Sequence, residues 1–174
     1  MISRSIIVIL TITSILTSSF IVRGQRARTR DRSPVPTSQE LKFDTSTTAI
    51  VQLDNWYRWE FDSTYKQATL TQIDLLLIDS LQFKSVIDHN KSLNKDNDDF
   101  YINLNKHSYK RQIVAVINKN GQKEVWVNCF CQLSGDNKWK TEVVHVADGG
   151  NCYFNFKINL TTKTCYDFAV NGVA

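Results

Sequence analysis

Trp126-Val127-Asn128-Cys129-Phe130-Cys131 and, further on, Asp148-Gly149-Gly150-Asn151-Cys152-Tyr153-Phe154-Asn155-Phe156-Lys157-Ile158-Asn159-Leu160 hold three of the four cysteines and the clearest strand pattern in the chain. In the second stretch Cys152, Phe154, Phe156, Ile158 and Leu160 share one face, and Tyr153, Asn155, Lys157 and Asn159 share the other. That alternation predicts a strand with one face in the core and one in water. Residues 143–146 supply an expected partner strand, turned by Asp148-Gly149-Gly150. A last strand places Tyr166, Phe168 and Val170 inward. A three-residue loop over 161–163 then pairs Ile158 with Tyr166 and Phe156 with Phe168.

Working upstream, Ile113-Val114-Ala115-Val116-Ile117 and Val125-Trp126-Val127 flank Asn118-Lys119-Asn120-Gly121. An Asn-Gly pair between apolar runs is a strong hairpin signal. With Asn120 and Gly121 as the turn, Val116 is expected opposite Val125, Val114 opposite Val127, and Gln112 opposite Cys129. Before these strands, Thr69-Leu70-Thr71-Gln72 has capping-box spacing. Ile73, Leu76, Leu77, Leu81 and Ile87 then recur at three- and four-residue intervals, with Leu75 and Ile78 widening the stripe, predicting a helix over 71–89 that buries it. Residues 90–100 read as a polar loop, and Asp96 to Asp99 lack the spacing of an EF-hand calcium loop. Earlier still, Tyr57, Trp59 and Phe61 alternate with Arg58 and Glu60 as on a half-buried strand, most simply in the core.

The N-terminal segment has a different character. Arg4 precedes an uncharged apolar run from Ile6 to Ile21 and then Val22-Arg23-Gly24, the order of a secretory signal peptide over residues 1–24. Removing it takes away Arg4 and Arg23 and no acid, so a net charge of +4 falls to +2. Residues 25–42 carry Arg26, Arg28, Arg30 and Arg32 with Pro34 and Pro36, and are expected to be a disordered basic linker. The remaining domain, 43–174, is near neutral and offers no basic face for nucleic acid. No second apolar run of spanning length follows, so no membrane association is expected after cleavage.

One helix followed by antiparallel strands with a single greasy face leads to an α+β domain. The helix packs on a four- to five-stranded antiparallel sheet. The order of elements resembles cystatin-like and nuclear-transport-factor-like rolls. Gln112-Ile113-Val114-Ala115-Val116 is similar to the Q-x-V-x-G hairpin of cystatins, with Val116 where that family has glycine, so here it reads as mid-strand. Residues 70–174 more closely resemble small bacterial secreted or lipid-anchored proteins with an N-C-F-C strand, a D-G-G-x-C-Y-F hairpin and a terminal N-G-x-A. That resemblance implies no activity.

In an exported chain, Cys129, Cys131, Cys152 and Cys165 are disulfide candidates. Cys129 and Cys131 point to one face of a strand and need partners elsewhere, so Cys131–Cys152 is the first expected pair. Cys165 is expected on the face of Asn159. A Cys-x-Cys zinc site lacks further soft ligands beyond His145, so no metal or other cofactor is expected. His145 and Asp148 with a free cysteine are the only approach to a nucleophile and base, and no catalytic residue is assigned. Asn90 and Asn159 stand in N-x-S/T sequons, which a used glycan would require to face solvent. The expectation is a secreted, non-catalytic binding domain whose partner is a protein or a glycan, with Trp126, Trp139 and Tyr153 on an exposed sheet face. The alternatives are a cystatin-like cysteine protease inhibitor and a small secreted hydrolase.

Overall fold

The computed structural model describes residues 41–53, 60–94, 98–133 and 137–173. The expected signal peptide, the linker up to residue 40, the aromatic run from Trp56 to Trp59, and Asp96 and Asn97 lie outside the described residues. Leu41 and Lys42, assigned to the linker, belong to the domain. Leu41 packs on the core, and the Lys42 backbone exchanges two hydrogen bonds with the Gln72 side chain at 2.8 and 3.1 Å.

One helix packs on a mixed sheet, so the domain is α+β. In chain order come β1 (Thr48–Ile50), β2 (Lys66–Gln67), α1 (Gln72–Ser92), β3 (Lys110–Ile117), β4 (Lys123–Phe130), β5 (Tyr153–Asn159) and β6 (Thr164–Val170). The sheet order is β1-β3-β4-β5-β6. The short β2 also pairs with β3, opposite Val116 and Ile117. Six strands replace the expected four or five, and the sheet is not wholly antiparallel, because β1 runs parallel to β3.

The hairpin between β3 and β4 forms where expected but one residue out of register. Val114 faces Trp126, Val116 faces Glu124 and Gln112 faces Asn128. A two-residue type I′ turn needs positive φ at both central positions. Only Gly121 has it, at +76°. The loop is therefore three residues, closed by Asn118 N–H to Gln122 O and Gly121 N–H to Asn118 O, both 2.9 Å. The Asn118 side chain also accepts from the Asn120 and Gln122 amides. The extra residue sets Trp126, Val114 and Val116 together on the face away from the helix.

The connection from β5 to β6 holds a second correction. Its loop is four residues, with Thr162 N–H donating to Asn159 Oδ1 and Lys163 at φ +59°. Ile158 therefore faces Cys165, and Lys157 faces Tyr166. Cys165 points to the core face and Tyr166 to the other, the reverse of expectation. A bulge at Asp167, φ +50°, then restores the phase, so Phe168 and Val170 return to the core. Phe168 stacks with Phe154 and Phe156 at 5.8 and 5.6 Å.

Residues 143–146 form no strand, and Asp148-Gly149-Gly150 is not a hairpin turn. Gly149 and Gly150, at φ +96° and +54°, lead into a 3-10 turn at Gly150–Cys152. Gly150 donates to Gly172 O at 2.9 Å, and a Cβ there would sit 2.7 Å from the Asp99 carbonyl. Asn171 N–H donates to Tyr153 O and its side chain to Asp148 O. The paired D-G-G and N-G motifs are thus one packed corner where the C-terminus crosses the start of β5.

Helix α1 begins one residue later than expected and runs on to Ser92, and its capping box is Thr71 with Asp74 rather than Thr69 with Gln72. Burial alone would raise the Asp74 carboxyl. Hydrogen bonds from Lys123 and Thr71 outweigh it and hold the group below the usual range. The buried stripe is Leu75, Ile78 and Val86, whereas Ile73 and Leu76 are 77% and 61% exposed. Two apolar stripes have helical spacing, and tertiary partners select between them. The inward face carries Gln82, bonded to Arg111, and Asn90, bonded to both backbone groups of Ile102. Asp74 on the same side meets Lys123 at 2.8 Å.

The strip of sheet away from α1 is also covered, so the expectation that it meets water fails over β3 and β4. Ala49, Val51, Phe61, Val114, Val116, Trp126, Phe130 and Trp139 form a second buried cluster. Its roof is the segment 137–146. Beneath that roof lie two cross-strand neighbours, Gln112 and Asn128. The Gln112 amide donates to the carbonyls of Trp139 and Glu142, and its oxygen accepts from Val144 N–H and from Asn128. Buried amides that are fully paired in this way fix one arrangement of a loop.

Candidate functional site

The roof leaves a cleft of about 240 Å³, walled by Leu133, Lys138, Trp139, Val143, His145 and Tyr153 among others. Trp139, Tyr153 and His145 therefore meet in the cleft, with Trp139 buried in the roof rather than on an exposed sheet face. Trp126 does not join them. It is buried in the second cluster, with its indole N–H directed to Asn155 Oδ1 at 3.3 Å. It lies on the expected face, away from α1 and shared with Tyr153, but the segment 137–146 covers that face.

Trp139 is the unusual member. It is only 3% exposed and meets Phe130 edge-to-face at 5.8 Å. Its ring has Lys110 Nζ at 5.1 Å and Lys140 Nζ at 5.7 Å. Its Nε1–H is buried and has no hydrogen-bond partner among the described residues. Buried polar groups are paired in roughly nine cases of ten, and leaving one unpaired costs about 1–3 kcal/mol. Two ammonium groups near the ring withdraw electron density and make the indole N–H a better donor. Tyr153 forms the opposite wall, its hydroxyl donating to Gln132 O at 3.2 Å.

A larger groove of about 590 Å³ runs between α1 and β6, past Leu81, Lys84, His89, Lys163, Cys165 and Phe168. His89 stacks on Phe168 at 4.8 Å, and its Nε2 lies 3.0 Å from Phe100 O.

The cysteines divide three ways. Cys131 and Cys152 form the expected disulfide, with Cα atoms 5.0 Å apart. Cys129 is free and fully buried under α1, its thiol pushed up to about 12 by burial. Cys165 is free and lines the groove, not the face of Asn159. His145 lies in the cleft on the other side of the sheet from both free thiols. Asp148 belongs to the corner with Asn171. The nucleophile and base considered from sequence are therefore not brought together. Among the described residues no cluster of three or more His, Cys, Asp or Glu could hold a metal ion. A native-state thiol assay should modify one cysteine, Cys165, rapidly, and a second, Cys129, only on unfolding, as read by mass of the labelled peptides.

The strongest polar network was not apparent in the sequence. Glu124, buried in β4, accepts from Asn118 at 2.6 Å, Asn159 at 3.1 Å and the Tyr166 hydroxyl at 2.7 Å. Burial, and then the bond to Glu124, raise the Tyr166 hydroxyl far above the usual tyrosine range. Beside it Lys157 bridges Glu60 at 2.9 Å and Asp167 at 3.2 Å, with Phe61 beneath its ammonium at 5.6 Å. The signal available in sequence was the polar residue at an inward strand position, here Glu124, as with Gln112 and Asn128. This network also takes in the asparagine of the second sequon. Asn159 is 7% exposed, and the nitrogen that would carry a glycan donates to Gln122 and Glu124. The Asn90 nitrogen is half-buried and donates to Ile102 O at 2.8 Å.

Gln112 to Val116 are buried in the middle of β3, so these residues present no turn to a protease. No helix among the described residues is long and apolar enough to cross a membrane. No family model matches the chain, and no curated protein or solved structure matches it.

Proposed function

We propose that the chain is a secreted, non-catalytic binding domain that takes part of a glycan or protein partner into the cleft between Trp139 and Tyr153. The carrying observation is that Trp139, which lines that cleft, has a buried indole N–H with no hydrogen-bond partner among the described residues. A donor without an acceptor among the described residues can be satisfied by a ligand carbonyl, hydroxyl or carboxylate. Lys110, Lys138 and Lys140 around it favour an acceptor with negative charge. The volume suits one sugar ring or one peptide side chain rather than a whole drug-sized molecule. Aromatic walls suit either, since a flat ring offers much contact area at low entropy cost. Export is supported by the order of charge, apolar run and small residue at the N-terminus, and by one closed disulfide.

Trp139→Phe isolates the claim. It deletes the N–H and keeps most of the packing, and since that N–H makes no bond among the described residues, the domain should be nearly as stable as before. Retention on a panel of defined glycans and peptides should fall tenfold or more for Trp139→Phe, about 1.4 kcal/mol. Full retention by Trp139→Phe, or by Tyr153→Ala, would overturn the assignment of the cleft.

A further inference from the structure

Helix α1 has a second apolar stripe that its own domain does not cover. Ile73, Leu76 and Phe83 are 77%, 61% and 60% exposed, three of the five exposed large hydrophobics among the described residues. With Ser80 and the half-buried Ile87 they follow intervals of three, four, three and four. That is a heptad seam with Ile73, Ser80 and Ile87 at a and Leu76 and Phe83 at d. In parallel coiled coils, β-branched residues at a with leucine at d favour two strands, and here Ile73 and Ile87 with Leu76 follow that pattern while Ser80 puts a polar residue at the central a position.

The flanking charges agree. In a parallel pair the residue at g meets the residue at e five positions on in the other helix. Asp79 stands at g and Lys84 at e, with side chains 54% and 71% exposed. Asp79 touches Arg111 and Lys84 touches Asp88 within the domain, and both keep solvent-facing valence for a second partner. The two-fold axis gives two Asp79–Lys84 contacts and no like-charge contact at these positions. Each of the three is more than half exposed, so together they form the apolar centre that a standard interface, with ~800 Å² from each partner, requires. Ser80, Lys84 and the flanks of the helix supply further area around that apolar centre.

We propose that the chain forms a homodimer in which α1 pairs in parallel with α1 of a second copy along Ile73, Leu76, Ser80, Phe83 and Ile87. Each sheet lies on the outer side of its own helix, so both Trp139 clefts stay open. The inference does not rest on what the cleft binds.

The full chain should sediment at micromolar concentration with twice its monomer mass of 20.0 kDa, less any cleaved leader. Leu76→Asp and Phe83→Asp replace exposed residues, so they should give folded monomers with unchanged circular dichroism. Asp79→Lys and Lys84→Asp should each shift the mass toward monomer, and the two together should restore the dimer. That rescue is not expected if the substitutions act by disturbing the domain. A wild-type chain that stays monomeric, a dimer indifferent to Leu76→Asp and Phe83→Asp, or failure of the double swap to rescue would each overturn the parallel pair. Flotation of a monomeric wild-type chain with phospholipid vesicles would do so too, in favour of a membrane surface as the stripe's occupant.

Discussion

Replacing Gln112 by leucine is expected to destabilise the domain by about 3–5 kcal/mol, at the upper end for a single substitution. Leucine is close to glutamine in volume and suits a fully buried site, so neither a cavity nor a clash is involved. The cost comes from what glutamine leaves behind. Its Nε2 donates to the carbonyls of Trp139 and Glu142, and its Oε1 accepts from Val144 N–H at 2.9 Å and Asn128 Nδ2 at 3.2 Å. Each group stranded without a partner costs about 1–3 kcal/mol if it stays buried. The segment 137–146 has no strand pairing of its own, so it relieves that cost by lifting toward water. Asn128 still holds Val144 O at 2.8 Å and limits the movement. Denaturant unfolding should report the loss, and hydrogen exchange should report where it falls, with the Val144 amide losing protection before the amides of β4. A loss under ~1 kcal/mol with Val144 still protected would mean that the apolar contacts of Trp139, not the amides, seat the roof.

The roof shows why the fold was legible in part. Helix and strands declare themselves by period, so α1, β3, β4, β5 and β6 were each located in the sequence. Period does not say which of two stripes turns inward. Both stripes of α1 have helical spacing, and the choice was made by Gln82, Asn90 and Asp74 finding Arg111, Ile102 and Lys123. Register failed for a related reason. Whether an Asn-Gly pair makes a two-residue or a three-residue loop depends on the φ of Asn120, which composition does not set. The bulge at Asp167 is likewise invisible to alternation, and it alone lets Cys165 and Phe168 share a face three residues apart.

At the candidate site, Trp126 and Tyr153 both lie on the expected side of the sheet, and what the sequence hid is that the segment 137–146 covers Trp126 and carries Trp139 off the sheet. The one-residue slip acted instead on Val114 and Val116, which a period of two moves to the face away from α1. The segment 137–146 had no signal as a roof, because an irregular layer has no period. What could have marked it is the pair Gln112 and Asn128, two amides in otherwise apolar strands. Buried amides at such positions imply backbone groups above them that need partners.

Removing the Cys131–Cys152 bond, by Cys131→Ser with Cys152→Ser, is expected to lower stability by about 3 kcal/mol and the melting temperature by roughly 10 °C. The sequence separation is 21, long enough for the closed loop to restrict the unfolded chain appreciably. Within the folded state the bond ties the end of β4 to the turn that opens β5, beside the Cys131 N–H to Cys152 O hydrogen bond at 2.9 Å. Gln132, whose carbonyl accepts from Tyr153, follows at once, so the rim of the cleft should loosen before the core does. Cys129 cannot take over the bond. Its side chain is fully buried in the core cluster with Val127, Phe154 and the inward residues of α1, and its thiol is pushed up to about 12, so little thiolate exists to attack. Wild-type protein treated with a reductant should therefore melt with the double-serine variant, and reoxidation should return the original melting temperature with Cys129 and Cys165 still free by mass mapping. Equal melting of oxidised and reduced protein would show instead that the β4–β5 ladder and the Gly149–Gly150 corner hold this end of the sheet without the covalent tie.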